Sequence, residues 1–238
     1  MYKRTHHQRI ERVLASMNAE FLANARCYFG GGTAIALQLD EYRESVDIDF
    51  LCADQGGYRS IREAIFGDPH LKTLFRQPIN LLREPRTDQD GVRTVLEMDG
   101  APIKFEIVRE SRILLDGVAV PGIPVLCLTR SDSFAEKLLA NADRYYDRSV
   151  MNRDIIDLLV MELHWGSIPD SAWHKAEAAY GKTIRSAYDA AKQRIGDTKY
   201  LLSCASTMGM SQDVVDAVVD ALLIPDSDPD DEPRGLRP

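Results

Sequence analysis

The chain has 238 residues, 45% of them hydrophobic, which is enough for a sizeable core in one or two domains. Its net charge of −8 is not that of a general nucleic-acid binder, although it leaves room for a local basic groove. No apolar run approaches the ~20 residues that a membrane helix requires, and the charged first ten residues do not read as a signal peptide, so the expectation is a cytoplasmic protein with no membrane partner.

Ile10, Val13, Leu14 and Met17 recur at helical spacing. Cys27–Gly30 reads as a short strand and Thr33–Leu39 as a helix that starts at a run of glycines. Val46–Leu51 reads as a strand and Tyr58–Phe66 as a helix. Ile79–Arg83, Arg93–Met98 and Ile103–Val108 read as strands, and Asp99-Gly100 marks a hairpin between the last two. Pro121–Leu128 adds an edge strand. From Thr129 onward the periodicity is helical: Asp132–Tyr146, Asn152–Leu163, Ser171–Tyr180, Ile184–Gly196, Thr198–Met208 and Gln212–Leu223. Thr129 or Ser131, and later Ser211, suit N-caps.

The pattern implies an α+β fold: a domain over 1–128 on a mixed sheet flanked by helices, then a helical domain over 129–225. The Pro- and Asp-rich tail, 226–238, has little to bury and is expected to be disordered. It carries −3 of the net charge, leaving −5 for the rest. Cys27, Cys52, Cys127 and Cys204 are far apart, form no C-x-x-C pair, and read as buried free thiols rather than zinc ligands or disulfides.

The chemistry concentrates between Tyr28 and Phe50, YFGGGTAIALQLDEYRESVDIDF. A strand that ends in glycines and enters a helix leaves N–H groups with no Cβ in front of them, and the helix dipole favours an anion there. Gly31, Gly32 and Thr33 are therefore candidate phosphate contacts, with Thr33 either capping the helix or donating its hydroxyl. Asp47 and Asp49, two apart on a strand, share one face about 6–7 Å apart. Such a pair repels itself unless a cation lies between, and hard oxygens suit Mg²⁺, or Mn²⁺ in its place. Each motif alone has a plainer reading: a flexible turn, and a half-exposed strand. Together they have one explanation: the glycines hold phosphate, and the aspartates hold the metal that bridges it.

Glu106 projects from the polar face of the Ile103–Val108 strand. It either completes the metal set or acts as base on an attacking hydroxyl, or it simply pairs with Lys104 or Arg93. Lys137, Asn141 and Arg144 share a helical face, as do Asp154 and Asp157 on the next helix. The plain reading there is an i,i+4 pair between Arg153 and Asp157 and a solvated Lys137.

GGTAIAL followed by SVDIDF resembles the nucleotidyltransferase fold shared with DNA polymerase beta. More narrowly, the chain resembles the AbiEii/AbiGii toxin family of bacterial toxin–antitoxin and abortive-infection systems. Gly31, Gly32, Thr33, Asp47 and Asp49 match the first block. Lys137, Ala140, Arg144, Arg153, Asp154, Asp157 and Leu158 match the second, with Asn141 where many relatives have leucine. The resemblance implies an Mg²⁺-dependent nucleotidyltransferase that moves a nucleoside monophosphate from a triphosphate to a hydroxyl and releases pyrophosphate. It implies that Asp47 and Asp49 are catalytic, that Lys137 contacts the nucleotide phosphates with Arg144 beside it, and that Asp154 orients Lys137 or helps with proton transfer. It further implies an RNA acceptor, such as the acceptor end of tRNA, and a cognate antitoxin. Lys175, Lys182, Arg185, Lys192, Arg194 and Lys199 either supply a phosphate-binding surface or are solvated. Other readings keep the fold with a small-molecule or protein acceptor, or make it an inactive nucleotide-binding module.

Overall fold

The computed structural model describes residues 2–68 and 70–223; the acidic tail expected to be disordered lies outside them. Two helices, α1 (Thr5–Ser16) and α2 (Ala19–Asn24), precede the first strand, β1 (Cys27–Gly30). Then come α3 (Gly31–Gln38), β2 (Ile48–Cys52), α4 (Gln55–Gly67) and the strands β3 (Asn80–Thr87), β4 (Gly91–Met98), β5 (Ala101–Arg109), β6 (Gly117–Val118) and β7 (Cys127–Leu128). Six helices complete the described chain: α5 (Arg130–Arg144), α6 (Arg153–Trp165), α7 (Asp170–Tyr180), α8 (Thr183–Ile195), α9 (Thr198–Thr207) and α10 (Gln212–Leu223).

All strands join one mixed sheet in the order β3-β4-β5-β2-β1-β7-β6. β2 lies parallel to β5 and antiparallel to β1, and β1 lies parallel to β7. The central strands are covered on both faces, so CYFG and IDFLC read as near-continuous apolar runs. The hairpin at Asp99-Gly100 forms with φ of 51° and 72°, the two left-handed residues that a tight β-turn of this hand requires. Arg12 of α1 pairs with Asp99 and ties the hairpin to the first helix. The four cysteines are buried and unpaired, with Cys27 and Cys52 facing each other across β1 and β2.

Two apolar clusters share the sheet. Beneath α1 and α4, the rings of Phe29, Phe50 and Phe105 stack in series, with centroids 5.5 and 6.0 Å apart. On the other side, Tyr28, Leu51 and Leu128 continue without a break into Phe134, Leu138 and Ile155 of the helices. Only Thr129 separates β7 from α5, and its hydroxyl caps that helix by accepting from the Asp132 N–H.

The structure departs from the sequence reading in several places. The Pro121–Leu128 strand shrinks to Cys127–Leu128 and is interior; Pro121 and Pro124 bring no N–H to a ladder, and the edge falls to β6. β3 runs on to Thr87 past Pro85, with register shifts on its β4 side. The strand read as Val46–Leu51 begins at Ile48; Val46 is 45% exposed and contributes nothing to the core. The short α2 and a 3-10 turn at Arg148–Val150 carry too little periodicity to be read.

Candidate active site

At the carboxyl end of β1 the chain turns into α3, beside a cavity of about 340 Å³. Gly31 has φ of +68°, and a Cβ there would lie 2.5 Å from a carboxylate oxygen of Asp49. A Cβ on Gly32 would collide with the guanidinium of Arg43. The glycines therefore make room for the protein's own carboxylate and guanidinium. No side chain caps α3, whose first residues, Gly31 and Gly32, line the cavity.

The Thr33 hydroxyl is not available to a phosphate. It is fully buried and bonds the Asp47 carbonyl at 2.5 Å and the Ser45 hydroxyl at 2.8 Å. Thr33 thus fixes the loop that delivers Asp47. Asp47 stands one residue ahead of β2 rather than within it, yet both Asp47 and Asp49 line the cavity. Burial, then the charges of Asp47 and Glu106, push the Asp49 carboxyl up to about 6.

Glu106 lies level with Asp49 in the neighbouring strand and also lines the cavity. Its carboxylate is bound by Arg93 Nε at 2.6 Å, the plain pairing foreseen for it. Asp47, Asp49 and Glu106 all line the cavity, although among the described residues no three acidic, imidazole or thiol groups are grouped closely enough for a metal cage. The crowded Asp47–Asp49 pair nevertheless fits Mg²⁺, which is commonly held by one or two carboxylates with the rest of its shell from water and substrate phosphate.

The opposite wall comes from α5 and α6. Asp157, fully buried, accepts from Arg43 Nε at 2.6 Å and Nη2 at 2.9 Å and from the Tyr42 hydroxyl, and it pairs with Lys137 Nζ at 2.6 Å. Asp154, one turn earlier, binds Lys137 Nζ at 2.9 Å and Arg144 Nε at 2.6 Å. Burial alone would raise the Asp154 carboxyl, but Lys137 and Arg144 outweigh it and hold that group well below the usual carboxylate range. Asp154 thus bridges Lys137 and Arg144, both of which line the cavity. Two of the three Lys137 donors are engaged by acids. Asp157 bonds Arg43 and Lys137 in place of the expected i,i+4 pair with Arg153, because the loop after α3 brings a guanidinium into the interior.

The last wall is Arg112 with Glu110 and Glu136. Arg112 binds Glu110 at 2.6 Å, and burial, with Glu110 close by, pushes the Glu136 carboxyl well above its ordinary value. Of the scattered helical cations, Lys175 is tied to Asp132, Arg185 to Glu177 at 2.5 Å, and Arg194 to the Tyr145 carbonyl at 2.8 Å. The sequence reading missed Arg43 and Arg112, which lie in loops without periodicity. It also missed the cavity position of Arg153.

A mixed sheet with a glycine turn and an aspartate pair at one end, closed by helices, defines a nucleotidyltransferase-type fold. It is similar to the crystal structure of a candidate nucleotidyltransferase from H. pylori, with a TM-score of 0.50, 16% identity and 91% of each chain covered. An antigenic nucleotidyltransferase-like protein from Paracoccidioides brasiliensis also matches, with a TM-score of 0.49, 15% identity, 87% of this chain and 96% of that one. A comparison with curated proteins gives no match. The family profile "Nucleotidyl transferase AbiEii toxin, Type IV TA system" matches residues 12–222. The chain belongs to this nucleotidyltransferase toxin family of type IV toxin–antitoxin systems.

Proposed function

We propose that the protein transfers a nucleoside monophosphate from a nucleoside triphosphate to a hydroxyl of RNA, at the acceptor end of tRNA, and that a cognate antitoxin restrains it. The observation that carries this reading is the division of charge in the cavity. Asp47 and Asp49 stand on one side, and Arg43, Lys137 and Arg144 stand against Asp154 and Asp157 on the other. A metal-bound triphosphate has the complementary pattern.

In this reading Asp47 and Asp49 hold Mg²⁺, with Mn²⁺ as a substitute. Bound there, the metal lowers the pKa of an attacking hydroxyl and neutralises phosphate charge. The uncapped N–H groups of Gly31 and Gly32 donate to phosphate oxygens, reinforced by the α3 dipole. Lys137, fixed by two carboxylates, offers its remaining donor to the phosphoryl group and the departing pyrophosphate. Arg144 extends the same positive wall.

The test incubates the protein with each labelled triphosphate, Mg²⁺ and total RNA, beside an Asp47→Ala variant. Label entering RNA with the wild type alone supports the reading. Transfer to neither RNA nor protein, with folded enzyme, refutes it. Label recovered on a small molecule or a protein supports the alternative acceptor, which the net charge of −5 outside the tail favours if that acceptor is cationic.

A further inference from the structure

Five cations line the cavity, and four are committed to acids. Arg43 is bound by Asp157, Lys137 by Asp154 and Asp157, Arg144 by Asp154, and Arg112 by Glu110 and Glu136. Arg153 differs: among the described residues its guanidinium makes neither a salt bridge nor a side-chain hydrogen bond. A guanidinium without a salt bridge thus shares the cavity with the aspartate pair.

The backbone that presents it is held in an unusual shape. Met151 and Asn152, in succession, adopt φ of 54° and 45°, a left-handed pair without glycine. Such conformations persist where the surroundings impose them, and they gather at functional sites. Here the surroundings are explicit. The buried Asn152 donates from Nδ2 to the Tyr145 carbonyl at 2.9 Å, and its Oδ1 accepts from the Tyr200 hydroxyl at 2.8 Å. Arg194 of α8 donates to the same Tyr145 carbonyl at 2.8 Å. The end of α5, together with α8 and α9, therefore fixes a turn whose next residue, the first of α6, is Arg153. Asp154 follows immediately and anchors that helix start to Lys137 and Arg144.

We propose that Arg153 receives the terminal phosphates of the bound triphosphate, aimed by a locked turn in which Asn152 and Tyr200 are positioning residues; this rests on the nucleotidyltransferase reading above. The planar guanidinium fork matches two phosphate oxygens at once. Unlike the other cavity cations, which are held by Asp154, Asp157, Glu110 and Glu136, its guanidinium forms no salt bridge before substrate arrives. The site then distinguishes a triphosphate from a monophosphate by its tail, independently of the base.

Calorimetric titration tests this with inorganic tripolyphosphate and with the tri- and monophosphates of all four nucleosides, each with Mg²⁺. The proteins are the wild type, Arg153→Ala, Arg153→Lys and Tyr200→Phe. Arg153→Ala is expected to weaken triphosphate and tripolyphosphate binding about 10- to 100-fold, with monophosphate affinity and the unfolding midpoint unchanged. Arg153→Lys recovers part of the loss. Tyr200→Phe produces a smaller loss, about threefold, again confined to ligands with the tail. Triphosphate binding that is indifferent to Arg153→Ala, or an equal loss for mono- and triphosphates, overturns the assignment and leaves the enzymatic reading standing. A wild type that binds no nucleoside triphosphate overturns the enzymatic reading itself.

Discussion

Replacing Asp49 by asparagine should make the metal-free protein more stable while removing its activity. The carboxyl is pushed from its ordinary 3.8 to about 6, first by burial, then by Asp47 and Glu106. A carboxyl with a raised folded-state pKa is held ionised at neutral pH at the expense of the fold. The move to about 6 corresponds to about 3 kcal/mol. Because this side chain faces the cavity, water and counter-ions screen part of it, and about 1–3 kcal/mol of stabilisation is expected from Asp49→Asn at pH 8. The sign follows from proton counting. Between pH 3.8 and about 6 the folded wild type binds more protons than the unfolded chain, so its handicap shrinks as pH falls through that window. Urea unfolding of both proteins at pH 8, 6 and 4.5, with chelator present, reads this out. The advantage of the variant should be largest at pH 8 and fade toward pH 4.5. Added Mg²⁺ should stabilise the wild type more than the variant. A variant that is less stable at pH 8, or a difference that stays flat with pH, would show that the carboxylate pair is not under electrostatic stress.

Asp157→Ala should have the opposite character, because it leaves Arg43 and Lys137 buried without their shared partner. A loss of about 3–5 kcal/mol is expected, read as a lowered urea midpoint with unchanged slope; a loss below 1 kcal/mol would contradict the ion lattice described here. Gly31→Ala places a Cβ against Asp49 at φ of +68° and should abolish transfer while costing about 1–3 kcal/mol; full activity would refute the close approach. His7, buried and bonded to Glu41 at 2.9 Å, is lowered from 6.5 chiefly by burial, with Glu41 opposing. Its contribution is therefore complete above pH 6.5 and declines as pH falls below it. His7→Gln should flatten the stability loss between pH 7 and 5.5, and an unchanged slope in that range would count against this assignment.

Much of this molecule was legible in its sequence where period and punctuation agree. The hairpin at Asp99-Gly100, the α3 start at the glycines and the alternation of β5 all follow from local chemistry. The aspartate pair was legible as well, since residues two apart near a strand end reach the same cavity even though Asp47 precedes β2. What stayed hidden depends on residues far apart in the chain. Arg43 gives no local signal, and its role emerges only when Asp157, 114 positions later, meets it. Thr33 misled for the same reason: a hydroxyl at a helix start looks available until the loop from Ser45 to Asp47 folds back over it. Arg153 and Asp157, four apart on one helix, look like partners until each meets a different neighbourhood.

The buried bond between Arg43 and Asp157 also bears on how such a toxin is made. During synthesis the glycine turn and both cavity aspartates leave the ribosome long before α6 exists, and until then Arg43 has no carboxylate to hold it beside Gly32. It follows that the cavity wall opposite the aspartate pair, Arg43 included, takes its final form only after α6 has docked.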